Sequence, residues 1–102
     1  EPTTIIYPNP KNLPEILKKT NTIAIRLTND YFCSEIIKKI KKPIISTSAN
    51  ISTEKNPRNF KEINHKIKQM VDYIVKHKME VNLEKPSRII KIHSKNKIEV
   101  IR

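Results

Sequence analysis

Apolar residues in this chain fall into short alternating runs and longer runs at helical spacing, and the two kinds take turns. Thr3 to Tyr7 reads as a strand. Asn12-Leu13-Pro14-Glu15 then predicts a short helix, with Asn12 as cap and Pro14 in the first turn, where a missing N–H loses no helical bond. Thr22 to Leu27 alternates in polarity and predicts a second strand. Asn29 or Asp30 can cap the helix that follows, where Phe32, Ile36, Ile37 and Ile40 share one face and Glu35 and Lys39 are spaced to pair on the wet side. Pro43 ends that helix and opens a third strand, the start of Pro43-Ile44-Ile45-Ser46. Ser46 to Arg58 is a long polar loop, after which Phe60, Ile63, Ile67 and Met70 mark a second amphipathic helix. Tyr73 to Val75 reads as a short strand, and Ser87 to Ile92 with Ile98 to Arg102 as a hairpin across His93–Lys97. Strands alternating with helices, closed by a hairpin, predict an α/β fold: a twisted mixed sheet with flanking helices. No repeat, linker or low-complexity tract divides residues 1–102.

Composition changes this picture in three ways. Only 36% of the chain is apolar and 5% aromatic, so any core rests on isoleucine. No apolar run approaches the ~20 residues of a membrane span, and no signal-peptide pattern opens the chain. The single cysteine, Cys33, cannot form an internal disulfide and fits a reducing, cytoplasmic compartment. A net charge of +11 suits an anionic partner, but abundant Lys, Asn and Ile with no glycine is also what an A/T-rich genome encodes. The arginines Arg26, Arg58, Arg88 and Arg102 are therefore better markers of anion binding than the lysines. Without glycine, left-handed turn positions fall to asparagine, and Asn50, Asn56, Asn59 and Asn96 are the candidates.

Chemistry concentrates in Pro43-Ile44-Ile45-Ser46-Thr47-Ser48-Ala49-Asn50-Ile51-Ser52. Small hydroxyl and amide groups at a sheet end supply short donors and acceptors for phosphate or carboxylate oxygens. A polar strand-to-loop turn is the plainer reading of the same residues. On an extended segment Ser48 and Asn50 would point to one side. Gly-x-Ser-x-Gly and glycine-rich phosphate loops are missing, which excludes serine-hydrolase and P-loop readings. His65, His77 and His93 lack metal-ligand spacing, so no protein-held metal is expected.

In chain order, Pro2-Thr3-Thr4-Ile5-Ile6-Tyr7, Ile23 through Asp30, Lys42 through Ser52, Lys85-Pro86-Ser87-Arg88-Ile89-Ile90 and Glu99-Val100-Ile101-Arg102 resemble the successive motifs of the YrdC/TsaC family of threonylcarbamoyl-AMP synthases. The Thr47-Ser48-Ala49-Asn50 core is the specific element. The resemblance implies a YrdC-like fold and condensation of L-threonine, bicarbonate and ATP, the last with Mg2+, into threonylcarbamoyl-AMP and pyrophosphate. It implies roles in ATP binding for Thr4, Ser48, Asn50, Arg58 and Arg102, and in threonine binding for Arg26 and Ser87. It further implies that Arg26, Ser48 and Asn50 carry the chemistry. Two departures concern loops: Thr53 stands where the family usually has Gly, and Lys76-His77-Lys78 follows Val71–Val75 where the family has Asp-Gly-Gly.

The family's N-terminal Pro-Thr-Asp-Thr and Lys/Arg motifs have no counterpart here, so residues 1–102 read as the C-terminal portion of a YrdC-like domain. An N-terminal half, a homo-oligomer, and tRNA or tRNA-modification proteins are the expected partners, with no membrane. Thr3–Tyr7 is the expected unpaired strand edge. Two other readings stay open: a non-catalytic basic RNA-binding module, and a carbamoyl-AMP-handling domain of a hydrogenase-maturation factor.

Overall fold

A computed structural model describes residues 1–83 and 85–102. The chain forms two compact units, one of Glu1–Lys42 with Pro86–Arg102, the other of Pro43–Lys85.

The first unit is built on a four-stranded mixed sheet in the order β2-β1-β3-β4, where β1 is Thr3–Pro8, β2 Thr22–Arg26, β3 Arg88–Ile92 and β4 Ile98–Val100. β1 runs antiparallel to β2 and parallel to β3, and β3 runs antiparallel to β4. The expected edge at Thr3–Tyr7 is therefore corrected. β1 is paired on both sides, and the edges are β2 and β4. Alternation on these strands sorts residues onto two faces. Thr4, Ile6, Ala24, Arg26, Ile89, Lys91 and Glu99 stand on one, while Ile5, Tyr7, Ile23, Ile25, Ile90, Val100 and Ile98 stand on the other.

The connection from β1 to β2 departs from expectation. Asn12 adopts φ 58° and caps nothing, and a short 3-10 turn spans Glu15–Leu17 after an extended Pro14. Pro14 restricts Leu13 to extended backbone, so no helix can begin at Asn12. The loop closes instead through the Asn9 N–H to the Asn21 carbonyl (3.0 Å) and the Asn21 amide to Asn9 Oδ1 (2.6 Å).

Helix α1, Tyr31–Ile40, begins at Asp30, whose carboxylate accepts the Cys33 N–H. It ends in a left-handed Lys41 whose N–H donates to Ile37, with Pro43 just beyond, a common helix stop. Its surface ion pair joins Lys38 to Glu35 (3.6 Å) rather than Lys39 to Glu35, so the expected i,i+4 pair is replaced by an i,i+3 pair. The β3–β4 hairpin forms as expected, closed by the His93 N–H to the Lys97 carbonyl, with the His93 ring 2.6 Å from Glu99.

The second unit contains no strand among its described residues. Neither Pro43–Ser46 nor Tyr73–Val75 forms the strand its apolar pattern suggests. An extended segment becomes a strand only when a neighbour takes its N–H and C=O groups, and among the described residues of this unit none is paired with it in a ladder. Ile44 and Ile45 remain 46% and 62% exposed. The helix expected from Phe60 to Met70 is likewise split, into a 3-10 turn at Phe60–Glu62 and helix α2 at His65–Met70. Asn59 and Asn64 each use the side-chain oxygen as a cap, accepting from Glu62 N–H and Lys66 N–H. Asparagine competes in this way with helix continuation, and the second cap wins over the periodicity. Lys68 Nζ sits 4.1 Å from the centre of the Phe60 ring and braces the two pieces.

Left-handed backbone falls at Asn9, Asn12, Lys41, Thr53, Lys78, Lys95 and Asn96. Of the four asparagines expected there, only Asn96 is so placed. Thr53 and Lys78, however, lie in the two loops where the sequence lacks glycine most conspicuously. No described residue in either unit is fully buried.

Candidate functional site

Four of the residues singled out in the sequence lie at one end of the sheet in the first unit. Thr4 is near the start of β1, and Ser87 immediately precedes β3, which runs parallel to it. Their hydroxyls are 3.0 Å apart in a partly buried contact. Arg26, at the end of β2, is the cross-strand partner of Thr4 and stands on the same face. Side chains paired in this way have Cβ atoms roughly 5 Å apart. The Arg26 guanidinium is exposed and, among the described residues, has no hydrogen-bond or ion-pair partner.

Arg102 arrives by a device that alternation does not reveal. The N–H groups of Ile101 and Arg102 both donate to the Ile89 carbonyl (2.9 and 3.3 Å), and the Ile89 N–H donates back to the Arg102 carbonyl (2.9 Å). Two residues opposing one make a β-bulge, which re-aims the side chains beyond it. Arg102 Nε then donates to the Ser87 carbonyl at 3.0 Å. Ser87 thus joins β1 to the end of the chain: its hydroxyl meets Thr4 and its carbonyl meets Arg102. Two guanidiniums and two hydroxyls at one sheet end make a donor-rich site suited to carboxylate or phosphate oxygens.

The second unit carries Ser48, Asn50 and Arg58. Ser48 is exposed, and a bend at Ala49–Asn50 follows it, so the strand alternation expected to align Ser48 with Asn50 does not hold. Asn50 instead folds back on its own loop. Its Nδ2 donates to the carbonyls of Ile51 (3.3 Å) and Glu54 (3.0 Å), while its Oδ1 is enclosed without a protein partner. The turn Ile51–Glu54 is closed by the Glu54 N–H to the Ile51 carbonyl, with Thr53 at φ 77°. That third position of a turn normally takes glycine when φ is positive.

Arg58 is already engaged. Its backbone N–H donates to Glu62 Oε2 at 2.7 Å, and its guanidinium lies 3.2 Å from Oε1. The backbone N–H, then the guanidinium, holds the Glu62 carboxyl below the usual glutamate range. An anion bound at Arg58 would compete with Glu62.

Sequence reasoning missed Glu54 and Asn64. Asn64 Nδ2 donates to both carboxylate oxygens of Glu54 (3.1 and 3.2 Å), tying the Asn50 loop to the cap of α2. The readable signal was Asn64 before a helical run, although nothing in the spacing named Glu54 as its partner. Among the described residues, no group of three His, Cys, Asp or Glu is placed to hold a metal ion, and no helix is long and apolar enough to cross a membrane.

A family model described as "Telomere recombination", Sua5_yciO_yrdC, matches residues 1–102. A threonylcarbamoyl-AMP synthase of Wigglesworthia glossinidia brevipalpis is 43% identical over 65 residues, 63% of this chain and 34% of its own length. A relative from Methanocaldococcus jannaschii is 33% identical over 100 residues, covering 97% of this chain and 45% of its own length. A threonylcarbamoyl-AMP synthase of Pseudoalteromonas translucida is 31% identical over 87 residues, 84% of this chain and 46% of its own length. The chain thus spans less than half the length of each of these relatives. No solved structure matches it significantly.

Proposed function

Because the chain belongs to the Sua5/YciO/YrdC family, we propose that it forms part of an L-threonylcarbamoyladenylate synthase serving tRNA threonylcarbamoyladenosine modification. Threonine and bicarbonate give the N-carboxy anion with loss of water. A carboxylate oxygen of that anion attacks the α-phosphorus of ATP, forming a C–O–P bond as the bond to the β-phosphate bridge breaks and pyrophosphate leaves. Both reactants are anions, so catalysis consists of positioning and charge neutralisation, and no nucleophilic side chain is needed.

In this reading Arg26 and Ser87 hold the threonine carboxylate. Thr4, Arg102, Ser48, Asn50 and Arg58 serve ATP, and Arg26, Ser48 and Asn50 act at the reacting groups. ATP enters as substrate with its Mg2+, and the triphosphate needs further cations from the remaining half of the enzyme. The observation that carries the proposal is the linkage Thr4–Ser87–Arg102 beside Arg26: four separated residues of the family motifs meet at one sheet end.

The test is threonine- and bicarbonate-dependent pyrophosphate release by this chain combined with the remaining half. Release independent of threonine would reject it. The +11 charge favours a second reading, a basic RNA-binding module. That reading predicts tRNA affinity falling steeply with salt while ATP fails to bind.

A further inference from the structure

Lysine is abundant in this chain, yet only Lys68 and Lys91 are half-buried and every other lysine is exposed. Withdrawing an ammonium from water costs free energy unless an acceptor, an anion or a ring compensates. Lys68 has the Phe60 ring, 4.1 Å away. The Lys91 ammonium has no hydrogen-bond, ion-pair or ring partner among the described residues. An acid stands close by. Glu99 is directly opposite Lys91 on the same face, a register in which opposite charges stabilise a sheet by pairing. Its carboxylate turns instead to His93, two residues further along β3, with Oε2 2.6 Å from Nε2.

Register places this lysine beside the candidate site. Arg26, Thr4 and Ile89 form one row across the face, and Ala24, Ile6, Lys91 and Glu99 form the next. Lys91 is therefore about 6.6 Å along β3 from the row of Thr4, a gap its four-carbon stem can cross. Arg26 is two strands away, about 10 Å. Cations so spaced suit two anionic groups rather than one. Glu99 is the one acid in these two rows, and His93 occupies it.

We propose that Lys91 is a phosphate ligand: its ammonium binds a phosphate oxygen of ATP on the β3 side of the face, while Arg26 on the β2 side takes the carboxylate. His93 is a positioning residue that keeps Glu99 from neutralising Lys91. The identity of the ligand rests on the synthase reading above, which gives Thr4 and Arg102 to ATP. Half-burial gives the contact its strength, because a partly desolvated ammonium gains more from an anion than an exposed one does. It also separates Lys91 from the exposed lysines, which an A/T-rich genome would supply without any role in binding.

The test is acetylation of lysines by acetic anhydride, read residue by residue by mass spectrometry, on the chain combined with the remaining half, with and without millimolar ATP. At physiological salt ATP should protect Lys91 about tenfold and leave Lys95 and Lys97, exposed on the same hairpin, within about twofold of their free rates. Lys91→Gln should raise the KM for ATP about tenfold with the KM for threonine unchanged, and Lys91→Arg should restore it. His93→Ala should release Glu99 to Lys91 and raise the same KM severalfold, and adding Glu99→Gln should reverse that rise. The labelling uses the unsubstituted chain, so it decides even where a variant fails to fold. Equal protection of the three lysines, no protection of Lys91, or an unchanged KM in Lys91→Gln would each overturn the proposal, and an unchanged KM in His93→Ala would overturn the role of His93. Protection of Lys91 by ATP without threonine-dependent pyrophosphate release would sustain the ligand and count against the synthase reading alone.

Discussion

The two units hold their candidate residues by different means. In the first, Thr4, Arg26, Ser87 and Arg102 are carried on or beside paired strands, so backbone ladders set their spacing. In the second, Ser48 and Asn50 ride a loop with no strand beside it within the unit, held by side-chain bonds to Glu54 and, through Glu54, to Asn64. A ladder tolerates the loss of any one side chain. A loop tied by an amide loses its own shape when the amide is removed. Substitutions should therefore behave differently in the two units, and measurements of the proposed synthase activity can expose the difference.

The largest effect is expected at Arg26. Arg26→Lys keeps the charge and the strand but loses the planar two-pronged contact to a carboxylate. Two charge-assisted hydrogen bonds of ~1.5 kcal/mol each correspond to about a hundredfold lower threonine-dependent pyrophosphate release. Thermal unfolding should be unchanged. A rate equal to that of the unsubstituted chain would remove Arg26 from the site.

Next in size are Ser48→Ala and Asn50→Ala. Each should weaken ATP binding by ~2 kcal/mol, roughly thirtyfold, with Ser46→Ala as an unaffected control. The contrast between units predicts more for Asn50. Its substitution should also loosen the Ile51–Glu54 turn, raising amide exchange at Glu54, whereas Ser48→Ala should leave that exchange alone. Equal ATP titrations for all three variants would dismiss both residues as ligands.

The same contrast explains what could be read from the sequence. β1, β2 and the β3–β4 hairpin were legible because alternation there coincides with partners inside the chain. Pro43–Ser46 was not, because its apolar pattern is that of a strand, while no described residue of its unit pairs with it. Asn59 and Asn64 were hidden within a helical period that their side chains interrupt. At the site, the residue types at Thr4, Arg26 and Ser87 were readable, but the bulge that sets Arg102 on the Ser87 carbonyl depends on a one-residue shift invisible to periodicity. The absence of glycine was informative in a different way. It pointed to the Thr53 and Lys78 loops, and both residues adopt positive φ.

That strain supplies a smaller, opposite effect. Thr53→Gly removes a β-branched side chain held at φ 77°. Relief of ~2 kcal/mol of backbone strain, less ~1 kcal/mol for the added freedom of glycine in the unfolded chain, leaves a gain of about 1 kcal/mol. A higher urea midpoint with unchanged slope would show it. A lower midpoint would mean that the Thr53 side chain makes a compensating contact.

The smallest effect lies at Arg58 and tests whether the second unit's arginine is a ligand or a brace. Glu62 is held below its ordinary range chiefly by the Arg58 backbone N–H and next by the guanidinium. A depressed carboxyl stabilises the charged, folded arrangement at pH above the ordinary glutamate value of about 4.3, and that contribution disappears as pH falls through the lower folded value. Both groups are solvent-exposed, so global stability should barely register the change. The Arg58 amide proton should, moving upfield in NMR as its 2.7 Å acceptor is protonated, with a midpoint below that of a free glutamate. At neutral pH, Glu62→Gln leaves an uncharged acceptor and frees the guanidinium from its ion pair. If Arg58 is an ATP ligand, this variant should bind ATP a few-fold more tightly, because the nucleotide no longer competes with a carboxylate. Unchanged affinity in Glu62→Gln, together with unchanged affinity in Arg58→Ala, would assign Arg58 to bracing the Phe60–Glu62 turn and leave Ser48 and Asn50 as the unit's ligands.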